Sequence, residues 1–195
     1  MDIKRPPSKQ PIPDNAKKVF TGVLFDVYQW EQELFDGTTA TFEKLKRPDT
    51  VVVFPVLNEG KILLTEQEQP GKVPFVGTAG GRVDEGEDIL AAAKRELLEE
   101  TGYEAEEYIL WDAQHPTSKI DWVVYTFIAK GLKKVAEMNL DAGEKIKLLP
   151  VTFDELTEMA IHKNFSEREV VTKFYEAKLD PKKYAELKKL FSPLK

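Results

Sequence analysis

The chain has 195 residues, 42% hydrophobic and 32% charged, with a net charge of -6, two histidines and no cysteine. That balance predicts one soluble globular domain rather than a disordered chain, and its acidity argues against a general nucleic-acid binder. The absence of cysteine excludes disulfide frameworks, thiolate nucleophiles and cysteine zinc sites, fits a cytoplasmic setting, and leaves only His115 and His162 as nitrogen ligands for a metal.

The first residues, Met1 to Pro13, are polar and Pro-rich, and a disordered or extended lead-in is expected over 1–18. From Val19 to Phe42 apolar and polar residues alternate around Asp36-Gly37, which predicts a hairpin or meander in an N-terminal antiparallel β region, 19–48. Thr50 to Leu57 is apolar on both faces and reads as a central strand. Lys61 to Glu66 follows it across the turn Asn58-Glu59-Gly60, and Pro70 to Gly81 reads as a loop. Asp88 to Thr101 is a helix ended by Gly102. Tyr108–Ala113, Trp122–Ala129 and Lys145–Val151 read as strands. Ser166 with Glu169 forms a capping-box pattern, and Asp180-Pro181 an N-cap followed by proline, in a helical extension over 166–195. Strands interleaved with helices over 49–165 predict an α/β domain with a mixed sheet covered on both faces. No apolar run approaches the roughly 18 residues of a membrane span, so no membrane partner is expected.

The chemistry concentrates in Gly81 to Tyr103, GRVDEGEDILAAAKRELLEETGY. Glu96 and Glu100 lie one helical turn apart on one face, and Glu99 is about 60° to the side of Glu96. Three carboxylates on a narrow arc repel one another, and a hard divalent cation such as Mg²⁺ converts that repulsion into coordination. Arg95, four residues before Glu99, can pair with it and aim it. Ile89, Leu90, Ala93 and Leu97 give the helix an apolar side. Taken alone, Arg-Glu-Leu-Leu-Glu-Glu reads rather as a solvated acidic face.

The spacing of the whole segment decides between the two. Gly81, Glu87, Arg95, Glu96, Leu97, Glu99, Glu100, Gly102 and Tyr103 fill every fixed position of the Nudix box, and the chain therefore resembles the Nudix hydrolases. The resemblance implies an α/β/α sandwich. It implies Glu96 and Glu100 as the main Mg²⁺ ligands, with Mn²⁺ as a substitute, and Glu99 as a further ligand or water-orienting group. It implies the Gly80 carbonyl as another ligand, Gly81 and Gly102 at turns, and Glu87 with Arg95 holding loop to helix.

Beyond the box, Val19 to Leu156 is similar in layout to ADP-ribose and nucleotide-sugar pyrophosphatases, whose extra N-terminal sheet implies a homodimer. In such relatives an acidic loop supplies the base that activates water. Asp141-Ala-Gly-Glu144 stands in that place, with Glu144 the matching carboxylate or, alternatively, part of a solvated turn. Three motifs depart from that branch. Gln67-Glu68-Gln69-Pro70 lacks the arginine of Gln-x-Arg-Pro, Gly77-Thr78-Ala79-Gly80 replaces the usual Glu-x-Pro-Ala-Gly entry, and no arginine stands near Thr41 or Phe42, although Glu43 is retained.

Candidate substrate contacts are Trp30 and Phe42 for stacking, with Glu43, Gln69, Lys119 and Asp121 for polar groups. The expected reaction is Mg²⁺-dependent hydrolysis of the diphosphate linkage in a nucleoside diphosphate sugar or ADP-ribose. A nucleoside triphosphate pyrophosphohydrolase and a non-catalytic nucleotide sensor remain as alternatives.

Overall fold

The structure, a computed structural model, describes residues 3–140, 142–162 and 164–194. It opens with a meander of β1 (Lys17–Thr21), β2 (Asp26–Glu33) and β3 (Thr39–Lys46). The β2–β3 hairpin closes where the sequence places it, because the Asp36 carboxylate accepts both the Thr38 N–H (3.0 Å) and the Thr38 hydroxyl (2.7 Å). Met1 and Asp2 lie outside the described residues. The rest of the lead-in is extended and docked: Arg5 pairs with Asp49 (3.0 Å) and Asp121 (3.1 Å), and the buried Lys44 ammonium donates to Ser8 Oγ (2.9 Å) and the Gln10 carbonyl.

Two sheets follow. Strand β4 (Thr50–Pro55) is indeed central, and β5 (Ile62–Glu68) follows it. The segment 70–81 is not wholly a loop. It holds β6 (Phe75–Gly77), which pairs with β5, and β7 (Ala79–Arg82), which pairs with β4. A run of glycines carries no strand propensity of its own, so only pairing with a finished neighbour makes it a strand.

Helix α1 (Ile89–Thr101) is capped by Asp88, whose carboxylate accepts the N–H groups of Leu90 and Ala91. Beyond it come β8 (Tyr103–Glu104), β9 (Glu107–Gln114), β10 (Ile120–Asp121), β11 (Val124–Lys130), β12 (Lys133–Lys134) and β13 (Lys145–Val151). Three helices close the chain: α2 (Phe153–Met159), α3 (Val171–Leu179) and α4 (Pro181–Leu190). Asp180 caps α4 with Pro181 in its first turn. The capping box sits at Thr152 and Glu155, opening α2. Ser166 caps nothing, since Arg168–Val170 is a 3-10 turn and α3 starts at Val171 without a side-chain cap.

The larger sheet runs β7-β4-β11-β9 and is mixed, with β4 and β11 parallel; β13-β5-β6 forms a second sheet. Alternation along β4 fills two cores. Val51 and Val53 meet Ala92, Ala93 and Leu97 of α1, while Val52 and Phe54 meet Phe153, Phe174 and Phe191 of the closing helices. The second core is locked by Phe54, Trp111 and Phe191, edge to face at 5.4–5.8 Å. The α/β/α sandwich is thus observed. Parallel pairing of β10 with β3 stitches the N-terminal sheet to the domain. Among the described residues no helix is long and apolar enough to cross a membrane.

Gly102 ends α1 at φ 71°, where a Cβ would lie 2.1 Å from the Ala136 carbonyl. Gly102→Ala combines left-handed strain with that overlap and should cost about 2–4 kcal/mol. A fall in Tm of roughly 5–15 °C is expected by calorimetry, and an unchanged Tm would refute the contact.

Candidate active site

The apolar side of α1 buries Ala92, Ala93 and Leu97 against the sheet, and this rotates Glu96 and Glu100 toward β7. Both glutamates are buried, at 9% and 6% exposed, which is unusual for carboxylates without a full set of partners. β7 receives them because it has no side chains at its centre. A Cβ on Gly81 would sit 2.3 Å from Glu96 Oε1, and one on Gly80 would sit 2.4 Å from the Val51 carbonyl. Gly81 has no positive φ, so it serves close approach and not the turn expected from the sequence; Gly102 alone of the two is left-handed. The Gly80 N–H donates to Glu100 Oε2 at 3.1 Å.

Arg95 organises the surroundings. Its Nε and Nη2 bind both oxygens of Glu87 at 2.9 Å, its Nη2 also donates to the Arg82 carbonyl at 2.9 Å, and its Nη1 reaches Glu96 (2.7 Å) and Glu99 (3.1 Å). Glu87 and Arg95 therefore join the loop to the helix. The Glu87 carboxyl is held below its ordinary value, first by Arg95, and the Arg95 guanidinium is raised, first by Glu87.

Glu96, Glu99 and Glu100 share a cavity of about 540 Å³ with Gln69, Arg82, Asp84, Asn139 and Glu144. Glu144 lines the same cavity, and Gln69 Nε2 donates to its Oε1 at 3.4 Å. Asp141, its neighbour in the acidic turn, lies outside the described residues. Burial is the main cause that lifts Glu96 and pushes Glu100 up to about 8, and the charge of Glu144 adds to both. Arg82, Asp84 and Asn139 were not legible as wall residues. Asn139 arrives only because its N–H bonds the Glu99 carbonyl at 2.8 Å, a contact between distant segments.

This all-oxygen donor set suits a hard divalent cation. Arg95 takes Glu96 Oε1 and Glu99 Oε2, leaving Glu96 Oε2 and Glu99 Oε1 as donors. As placed, Glu96 and Glu99 turn to Arg95 and Glu100 to Gly80, and among the described residues no three acidic or histidine side chains converge on one point. Rotation of these side chains about their own bonds is needed to gather them.

Of the candidate substrate contacts, only Gln69 reaches this cavity. Trp30 is buried in its own sheet, tilted against Phe42 at 6.1 Å and bound to Gln32. Glu43 accepts from Gln29 at 2.7 Å. Lys119 supports β3 through its carbonyl, and Asp121 is paired with Arg5. Asp121 does line a neighbouring cavity of about 830 Å³ with Tyr28, Arg47 and Asp49. Asp84 borders both cavities.

Comparison with known proteins converges on one family. A NUDIX domain profile matches residues 46–174. The chain is 33% identical over 160 residues to a methanol dehydrogenase activator of Bacillus methanolicus, covering 80% of this chain and 86% of that protein. It is 31% identical over 146 residues to an ADP-ribose pyrophosphatase of Bacillus subtilis (strain 168), covering 73% of this chain and 79% of that protein. Among solved structures, an ADP compounds hydrolase shares the fold at a TM-score of 0.69 and 21% identity, over 87% of this chain and 93% of that one.

The buried carboxylates set the pH response of the metal-free protein. Glu96, Glu100, Glu167 and Glu169 are all raised from 4.5, chiefly by burial, and Glu100 and Glu167 reach about 8. A raised acid stabilises the fold fully below its unfolded value and loses that contribution as pH rises through its folded value. Chelator-treated protein should therefore melt at a higher temperature at pH 5.5 than at pH 8.5. A Tm that is flat or rises across this window would contradict the burial of these groups.

Proposed function

The chain belongs to the Nudix family, and from that premise we propose that it uses Mg²⁺, or Mn²⁺ in its place, to hydrolyse the diphosphate linkage of ADP-ribose or a nucleoside diphosphate sugar. The products are a nucleoside monophosphate and a sugar phosphate. The observation that carries this reading is that Glu144 lines one cavity with Glu96, Glu99 and Glu100. The ADP-ribose pyrophosphatase relative supports the substrate class. A full set of box carboxylates speaks against a sensor without catalysis.

Glu96, Glu99, Glu100 and the Gly80 carbonyl would hold the cation. When bound, it neutralises phosphate oxygens and lowers the pKa of water. Glu144 accepts the proton of the attacking water as its oxygen bonds to phosphorus and the bridging P–O bond breaks. Gln69 donates to Glu144 Oε1 at 3.4 Å and leaves its other oxygen free to take the proton. Arg82, which also lines the cavity, would bind a phosphate oxygen.

The N-terminal sheet supports a two-fold homodimer. β1 is an exposed edge strand that carries bare Val19 (51%) and Phe20 (59%), and Phe35 is exposed at the β2–β3 turn. Trp30 does not take part in that surface, since it is buried within its own chain.

Glu144→Gln should lower kcat roughly 10²–10⁴-fold with little change in KM, because proton removal is needed only in the transition state. Glu100→Gln should abolish most turnover while the protein stays folded. In ¹⁸O-water the label should enter one phosphate product; label on a sugar hydroxyl would mean glycosidic cleavage and would overturn the reaction class. A panel of nucleotide sugars, dinucleotides and nucleoside triphosphates separates the preferred substrate from the triphosphate alternative. For the assembly, light scattering at micromolar concentration should report twice 22.2 kDa. Phe20→Asp should return the monomer, whereas a wild-type monomer would refute the dimer.

A further inference from the structure

Glu167 is a fully enclosed carboxylate that the proposed chemistry leaves unused. It is 6% exposed and sits in the turn before α3. Its Oε1 accepts the Thr78 N–H at 3.2 Å, and its Oε2 has no partner among the described residues. Burying such a group costs stability that a leucine would not, so its retention asks for a local reason.

Thr78 supplies that reason. It is the single residue between β6 and β7, where the chain leaves the sheet of β5 and enters the sheet of β4. At such a crossing the ladder cannot take its N–H, and Glu167 does. The Thr78 hydroxyl is meanwhile bound to the Val53 carbonyl. The turn that carries Glu167 is fixed to the same strand, because Val76 N–H donates to the Asn164 carbonyl (3.0 Å) and Ser166 N–H to the Val76 carbonyl (2.8 Å). Gly77 is fitted to the carboxylate: a Cβ there would stand 2.8 Å from Glu167 Oε1 and 3.1 Å from Ser166 Cβ. Two residues beyond Thr78, Gly80 presents its N–H to Glu100.

We propose that Glu167 is a positioning residue for the cation site: by pinning Thr78 at the crossing between the sheets, it fixes where Gly80 stands relative to Glu96 and Glu100. This rests on the reading of those residues as cation ligands. Glu167 acts through the backbone, not on the substrate. Gln at this position keeps the accepting oxygen; Leu keeps the bulk and loses it.

The test is Mn²⁺ binding to metal-free full-length protein, followed by electron paramagnetic resonance, with near-ultraviolet circular dichroism to verify folding. Glu167→Gln should bind Mn²⁺ within about threefold of wild type, and Glu167→Leu at least about tenfold more weakly although folded. Gly77→Ala, which keeps the carboxylate and displaces it, should show the same weakening, and it decides the matter if Glu167→Leu does not fold. For both weakened variants, excess Mn²⁺ should restore kcat with KM little changed. Glu100→Gln is the control. If it binds Mn²⁺ like wild type, the assignment of the cation site fails. If it loses Mn²⁺ while folded Glu167→Leu or Gly77→Ala binds normally, the role of Glu167 alone is overturned.

Discussion

Everything at the site depends on an acidic helix lying directly against a strand that has no side chains. Glu96 needs the space over Gly81, and Gly80 needs the space beside the Val51 carbonyl. Any larger residue at either place pushes α1 away from β7 and Glu96 and Glu100 away from the backbone they pack against. Gly80 and Gly81 act through contact distance, while Gly102, left-handed at φ 71°, acts through conformational freedom.

Such a helix would not hold its place on electrostatics alone, since like charges one turn apart oppose helix formation. Two effects offset this. Ala92, Ala93 and Leu97 anchor α1 in a core independent of the charged side. Arg95 then spreads one guanidinium over Glu87, Glu96, Glu99 and the Arg82 carbonyl, so that a single cation ties the box loop, the helix and β7 together. A lysine has no planar fork and would satisfy only part of that set.

Legibility in the sequence followed the range of the interactions. α1 was readable end to end because its signals are local: Asp88 caps it, its apolar side repeats at helical spacing, and Gly102 stops it. β4 was readable from an unbroken apolar run. β6 and β7 were not, because Gly77, Gly80 and Gly81 carry no propensity and their pairing partners lie elsewhere in the chain. The same limit explains the site. Glu96, Glu99 and Glu100 could be put on one helix face by spacing, whereas Asn139 reaches the cavity through a backbone bond to Glu99 that no spacing announces. The Ser166–Glu169 pattern misled because a sequence motif records compatibility with a cap and not its use; the chain bends into a 3-10 turn there and commits Glu167 to Thr78 instead. Trp30 and Phe42 suggested stacking by residue type, but they lie against each other in their own sheet and do not line the cavity.

The docked N-terminal segment carries a consequence for how the protein is made. Its attachments are all remote: Lys44 holds Ser8 at a separation of 36 residues, Arg5 holds Asp49 at 44, and His115 lies 3.1 Å from the Pro6 carbonyl at 109. On a ribosome adding about 5–20 residues per second, Pro6 waits on the order of ten seconds for His115 to be synthesised. Through that interval β1 and its bare apolar groups have no finished domain to lean on. The N-terminal sheet is therefore made well before β10, the strand that stitches it to the domain, and it needs shelter during translation until then.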